Sequence, residues 1–220
     1  MRNRLLICLL LFLLGCDQDQ IIYFPDSINE TKIMLDSINT VDQSGRSEIE
    51  EIEQQYGVGS QEVNLHWESI QKTDSTNLIV VTYILDTFGW LGSGEIGGTA
   101  NSTLFLVIQH ADHNSQKKYL PIMKQAVEKG NANPGDLALL EDRVALGKGK
   151  LQIYGSQIGR YDQTGEYYVM PLFEPEKVNK RRSRVGLGNI EDYVSYWGIS
   201  WDIEKYKNDL PKWIKEQQKR

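Results

Sequence analysis

Polar groups able to hold a ligand or move a proton gather where an apolar run ends. Residues 104–108 are apolar, and Gln109, His110, Ala111, Asp112 and His113 follow directly. The histidine pKa lies near neutrality and a neighbouring carboxylate tunes it, so His110 is a candidate general base or ligand-orienting group. Gln109 and Asp112 are candidate ligand contacts beside it. Farther on, Asp142 and Arg143 stand between Leu139 and Leu146 at offsets of three, four and seven, which puts an acid and a base on one helix face between two leucines. Charge is costly to bury unless it is paired or used, so Asp142 is a second catalytic candidate and Arg143 a binding one. An ion-pairing element that bridges helices is the plainer reading of the same pair. Gln152, Tyr154 and Gln157 add side chains that can orient a ligand. The basic group at 177–184 is either a solvated helix face or, through Arg181 or Arg182, a clamp for a carboxylate or phosphate.

Several chemistries are set aside. Gly92, Gly94 and Gly97 match G-x-G-x-x-G with Asp112 farther on, but residues 86–91 intervene between the preceding apolar run and the first glycine. The loop is better explained by positive φ or close backbone approach. His110, Asp112 and His113 include ordinary metal ligands, yet their spacing matches no strong metal signature. Gly155-Ser156-Gln157 is not a nucleophile elbow, which needs G-x-S-x-G. No metal and no cofactor is expected.

Residues 1–15 have the layout of an export signal, with Arg2 and Arg4 ahead of an apolar run at 5–14. That run is too short to span a bilayer, which takes about 20 apolar residues. Leu13-Leu14-Gly15-Cys16 resembles the lipobox of bacterial lipoproteins, in which the cysteine carries the lipid. Acylation of Cys16 would make the lipid bilayer a partner and the cell envelope the location, periplasmic or surface-exposed. With Cys8 removed and Cys16 acylated, no free thiol remains for disulfides, nucleophiles or thiolate metal sites. Without Arg2 and Arg4 the chain holds 22 basic against 30 acidic residues, a net charge of −8 that argues against nucleic acid as a partner.

The elements that must position these groups are mostly helical. After a tether at 16–26, an N-terminal helical scaffold is expected at 27–73. It comprises a first helix broken at Ser44-Gly45-Arg46-Ser47, a second capped by Ser47 with Glu50 and ending before Gly57, and a third at 61–72. A core domain at 74–200 follows. Residues 78–85 are ambiguous between strand and helix, and 99–110 read as a buried helix. The next helix ends at Lys129-Gly130, with Pro121 expected in its first turn or at a kink, and another begins at Pro134. Residues 151–157 alternate like a strand, and 166–170 supply its hairpin partner. Pro175 and Asn189 open two short helices, and 201–220 read as a C-terminal helical tail ending in solvent.

Five segments in order resemble a bacterial family defined as a domain of unknown function. They are Gly89-Trp90, Gln109-His110-Ala111-Asp112, Glu141-Asp142-Arg143-Val144, the run from Gln152 to Gln157, and Arg181-Arg182-Ser183-Arg184-Val185-Gly186-Leu187. The resemblance spans about 78–196. Leu91 stands where the family commonly has proline, and Ser156 where it has threonine. The resemblance favours the helix at 78–85, supports the site residues and leaves the reaction open.

The expected molecule is therefore mainly α, a helical globular domain with one short β-hairpin. His110, Asp142, Arg143, Gln152, Tyr154, Gln157 and Arg182 are expected to converge on one polar pocket for a small or polymeric envelope compound. Chemistry there would be that of a hydrolase or lyase without covalent intermediate. A non-catalytic envelope scaffold or partner-binding lipoprotein is the competing class.

Overall fold

The computed structural model describes residues 22–161 and 164–217. The signal segment and Cys16 lie outside the described residues. The fold is mainly helical with a single two-stranded antiparallel hairpin, as the sequence predicts.

Helix α1 (Ile28–Ser47) starts at Ser27, whose hydroxyl accepts from the Glu30 amide at 3.3 Å. It buries Leu35, Ile38 and Asp42, an apolar stripe with a carboxylate at its end. The break expected over Ser44-Gly45-Arg46-Ser47 comes at its far end: α1 continues through Gly45 to Ser47 and gives way to the next helix at Glu48. A Cβ on Gly45 would already touch Ile70 at 3.4 Å, and the Gly45 carbonyl lies 2.6 Å from His66 Nε2, so this turn is held by packing on the third helix. Helix α2 (Ile49–Tyr56) ends at Gly57, which adopts positive φ.

Helix α3 (Gln61–Phe88) runs unbroken through the two segments predicted separately. Residues 73 and 74, between which the scaffold was expected to end and the core domain to begin, are successive residues of this helix. The short α4 (Ser93–Ile96) leads to α5 (Gly98–His110), which is buried along most of its length. In the glycine-rich loop, a Cβ on Gly92 would fall 2.8 Å from Asn131 Oδ1, so close approach accounts for that glycine.

Helices α6 (His113–Glu128) and α7 (Pro134–Gly147) pack on each other. Pro121 lies inside α6 at an exposed position and not in its first turn, the other placement expected for it being a kink. Helices α1, α3, α4, α5, α6 and α7 enclose one aliphatic core that includes Leu35, Val81, Ile84, Leu104, Ile108 and Leu140.

Residues 151–157 form a loop, not the predicted strand. The hairpin begins one residue later, with β1 (Ile158–Arg160) paired to β2 (Tyr167–Val169) in the register Ile158 to Val169 and Arg160 to Tyr167. Pro175–Lys177 makes a 3-10 turn that runs into α8 (Val178–Arg184), followed by α9 (Ile190–Ser195) and α10 (Ile203–Gln217). With the hairpin these helices enclose a second, smaller core of Val169, Leu172, Val178, Ile190, Val194, Tyr206 and Trp213. Two residues of α10, Tyr206 and Trp213, are thus core residues, and the end of the expected helical tail at 218–220 lies outside the described residues.

Candidate functional site

The sequence-predicted residues fall into two polar groups. The first surrounds the loop at 151–157. Asp142 of α7 is fully buried, and its oxygens accept from the backbone amides of Ile153 (2.6 Å), Tyr154 (3.0 Å) and Ser156 (3.0 Å) and from the Ser156 hydroxyl (2.9 Å). Burial pushes its pKa above the usual carboxylate range, against the pull of those four donors. Gln152, also fully buried, donates to the carbonyls of Gln157 and Met170 and accepts from the Gln157 amide, closing the loop on itself. Gln157 donates onward to the Ser156 hydroxyl at 3.0 Å.

Two arginines of α8 hold the same loop from the other side. Arg182 donates to the carbonyls of Tyr154 (2.8 Å) and Gly188 (2.5 Å) and lies 4.9 Å from the Tyr193 ring centre. Arg181 donates to the carbonyl of Ile153 at 2.7 Å. Gly155 completes the arrangement: its φ is 68°, and a Cβ there would lie 2.7 Å from Ile190. Asp142, Gln152 and Arg182 therefore meet, as expected, but they meet on backbone. Their hydrogen-bonding groups are engaged in fixing a loop, which corrects the expectation that they face a ligand. The Tyr154 phenol, half-buried, has its pKa raised by burial and by the Glu141 carboxylate.

The second group forms where α1, α3 and α5 meet. His110 Nδ1 lies 3.3 Å from the Oδ1 of Asp42, a carboxylate with 1% of its side chain exposed. Arg46, one turn along α1, reaches Asp42 at 3.5 Å and Asp74 of α3 at 2.5 Å. Burial opposes ionisation of Asp42, but the hydrogen bond and charge of His110, together with Arg46, outweigh it and bring its pKa from 3.8 down to about 2. Asp42, Asp74 and His110 present ligand atoms within 4.8 Å of one another, a spacing that a divalent cation accepts. The Arg46 guanidinium already lies against both carboxylates and supplies their countercharge.

Arg143 belongs to the space between the two groups. Its Nε is buried and has no hydrogen-bond partner, and the guanidinium makes no ion pair among the described residues. Burial lowers its pKa; the Tyr193 hydroxyl acts against that shift, and the Arg46 charge adds to it. Tyr193 in turn donates to the Ser156 carbonyl at 2.7 Å, on the pinned loop. A cation held away from water beside a second cation, with no ion pair among the described residues, is an arrangement that an anionic ligand would complete.

Other predicted residues serve the helix ends. Asp112 caps α6, accepting from the amides of Asn114 and Ser115 at 2.8 and 3.1 Å and from the Ser115 hydroxyl at 2.6 Å, which lowers its pKa. The Gln109 carbonyl accepts from Gln116 Nε2 at 2.9 Å. A cavity of about 200 Å³ beside Trp90 and another of about 260 Å³ beside Asn179 include none of the predicted site residues.

Sequence reasoning missed Asp42, Arg46 and Asp74. The available signal was Asp42 itself: with Leu35 and Ile38 it falls at offsets of three and seven, so a carboxylate sits on the apolar stripe, and Arg46 follows four residues later.

The fold and polar groups define a mainly helical domain in which a histidine–carboxylate–arginine cluster lies next to an unpaired arginine. The chain belongs to a family of unknown function, DUF6624, whose model matches residues 30–204. That match takes in all but the first two residues of α1 and reaches the first two residues of α10, well beyond the span of the sequence motifs. No curated protein and no solved structure matches the chain.

Proposed function

We propose that this protein is a lipid-anchored component of the bacterial cell envelope that binds a small anionic compound, a carboxylate or phosphate ester, between Arg143, Arg46 and His110. The observation that carries this reading is the buried, partnerless Nε of Arg143. A guanidinium presents a fork of donors matched to carboxylate and phosphate oxygens, and partial removal from water strengthens the pairing. His110 supplies the proton chemistry. With Nδ1–H donated to Asp42, its Nε2 is the basic nitrogen and exchanges a proton with the bound compound. A hydrolase or lyase step of this kind forms no covalent intermediate.

The anchor rests on Leu13-Leu14-Gly15-Cys16, and no helix among the described residues is long and apolar enough to cross a membrane. The tether at 16–26 joins the lipid-bearing cysteine to α1. A Cys16→Ser protein should move from the membrane fraction to the soluble fraction. For the ligand, thermal melting is measured with inorganic phosphate, acetate and citrate. The wild-type protein should be stabilised by at least one anion, Arg143→Met should lose that response, and His110→Ala should weaken it. Equal responses in all three proteins would refute the site. The alternative, a non-catalytic envelope scaffold, draws on the loop at 151–157, whose polar groups are used internally; it prevails if no anion stabilises the wild type.

A further inference from the structure

A second cleft, far in character from the polar groups above, lies between the hairpin and α10. Its wall is a continuous set of rings. Tyr161 stacks on Tyr168 at 4.5 Å, Tyr168 on Trp213 at 5.4 Å, and Tyr206 meets both Trp213 and Trp201 at 5.0 Å. The volume is about 150 Å³, the size of an engineered cavity that admits benzene.

The rings have little hydrogen-bonding capacity left for a ligand. The Tyr206 hydroxyl accepts from the Leu172 amide at 2.8 Å and donates to the Met170 carbonyl at 2.9 Å, and the Tyr161 hydroxyl accepts from Trp213 Nε1 at 2.5 Å. A sugar ring would bring hydroxyls to a wall with few groups to receive them. The rim, by contrast, is acidic. Glu166, Asp202 and Asp209 line the cleft with Lys205 as the opposing charge, and neither Glu166 nor Asp209 makes an ion pair among the described residues. The aromatic faces nearby already attract cations of the chain itself, with Lys212 5.4 Å from the Tyr161 centre and Arg160 5.2 Å from that of Tyr167.

We infer that this cleft binds a small quaternary ammonium group of trimethylammonium size. Such a group needs no hydrogen-bond partner, gains from the aromatic lining and is drawn in by the carboxylates at the rim that make no ion pair among the described residues. The site is separate from the Arg143 region and opposite to it in ligand charge, so either can fail without the other.

The test is calorimetric titration of the full chain with choline, with its neutral carbon isostere 3,3-dimethylbutan-1-ol, and with N-acetylglucosamine. Choline should bind saturably, the isostere about tenfold or more weaker, and the sugar not at all. A Glu166→Gln/Asp209→Asn protein keeps the shape of the rim and should bind choline about tenfold more weakly at an unchanged melting temperature. Trp201→Ala, at a partly exposed ring, should abolish binding. Equal affinity for choline and the isostere, preference for the sugar, no saturable choline binding, or an unaltered double variant would each overturn the inference.

Discussion

The two cores are built on different principles. The larger one is mostly aliphatic and helical: Leu35, Val81, Ile84, Ile96, Leu104 and Ile108 come from four helices and exclude water by packing alone. The smaller one has five buried aliphatic side chains, Val169, Leu172, Val178, Ile190 and Val194, and adds rings and clamps to them. Tyr206 ties α10 to the backbone after β2, Arg182 ties α8 to the loop at 151–157, and Asp142 of α7 secures that loop to the helical core. A small region buries too little apolar surface to stabilise itself by that means, and hydrogen-bonded anchors to a larger neighbour make up the difference.

That contrast can be broken at its anchor. Asp142→Ala leaves three buried backbone amides without an acceptor and should cost about 4 kcal/mol. Hydrogen exchange should rise across the loop and hairpin while α5 keeps its protection. Uniform loss of protection in both cores would show that the smaller region does not depend on this residue. A smaller effect is expected at Asp42, whose folded pKa lies below its unfolded value. Its contribution is complete above about pH 4 and lost as pH falls toward 2, a difference of about 2 kcal/mol. Asp42→Asn should therefore flatten the acid limb of the stability profile over that interval, and an unchanged slope in a pH series of denaturant melts would exclude the His110 and Arg46 pairing as its source. Smaller still, Tyr206→Phe removes the hydroxyl that serves Leu172 and Met170 and should cost about 1 kcal/mol. A neutral result in the same melts would mean that ring packing, not the hydroxyl, secures α10.

The larger core was the more legible in sequence because its rules are local. Pro134 at the start of α7 and the leucine spacing inside α7 act within a turn or two of chain. Gly45 misled because its helix is maintained by Ile70 and His66, residues of a later helix. The loop at 151–157 misled for a related reason. Its alternation of apolar and polar residues imitates a strand, yet its amides are received by a carboxylate from α7 in place of a neighbouring strand, and the fully buried residue is the polar Gln152. Asp142, Gln152 and Arg182 meet around that loop, since buried charge needs partners. That those partners are backbone groups depends on the loop's path, which no spacing encodes. Arg143 is the converse case, adjacent to Asp142 in sequence, with a buried Nε that has no hydrogen-bond partner among the described residues.

The melting temperature of Arg143→Met in the absence of ligand bears most directly on the proposed anion site. Methionine keeps much of the side-chain volume and removes a buried charge that makes no ion pair among the described residues, so the free protein should melt at the same temperature or up to about 4 °C higher, and phosphate or carboxylate should no longer stabilise it. A fall of several degrees with the anion response intact would assign Arg143 to structure and contradict the site.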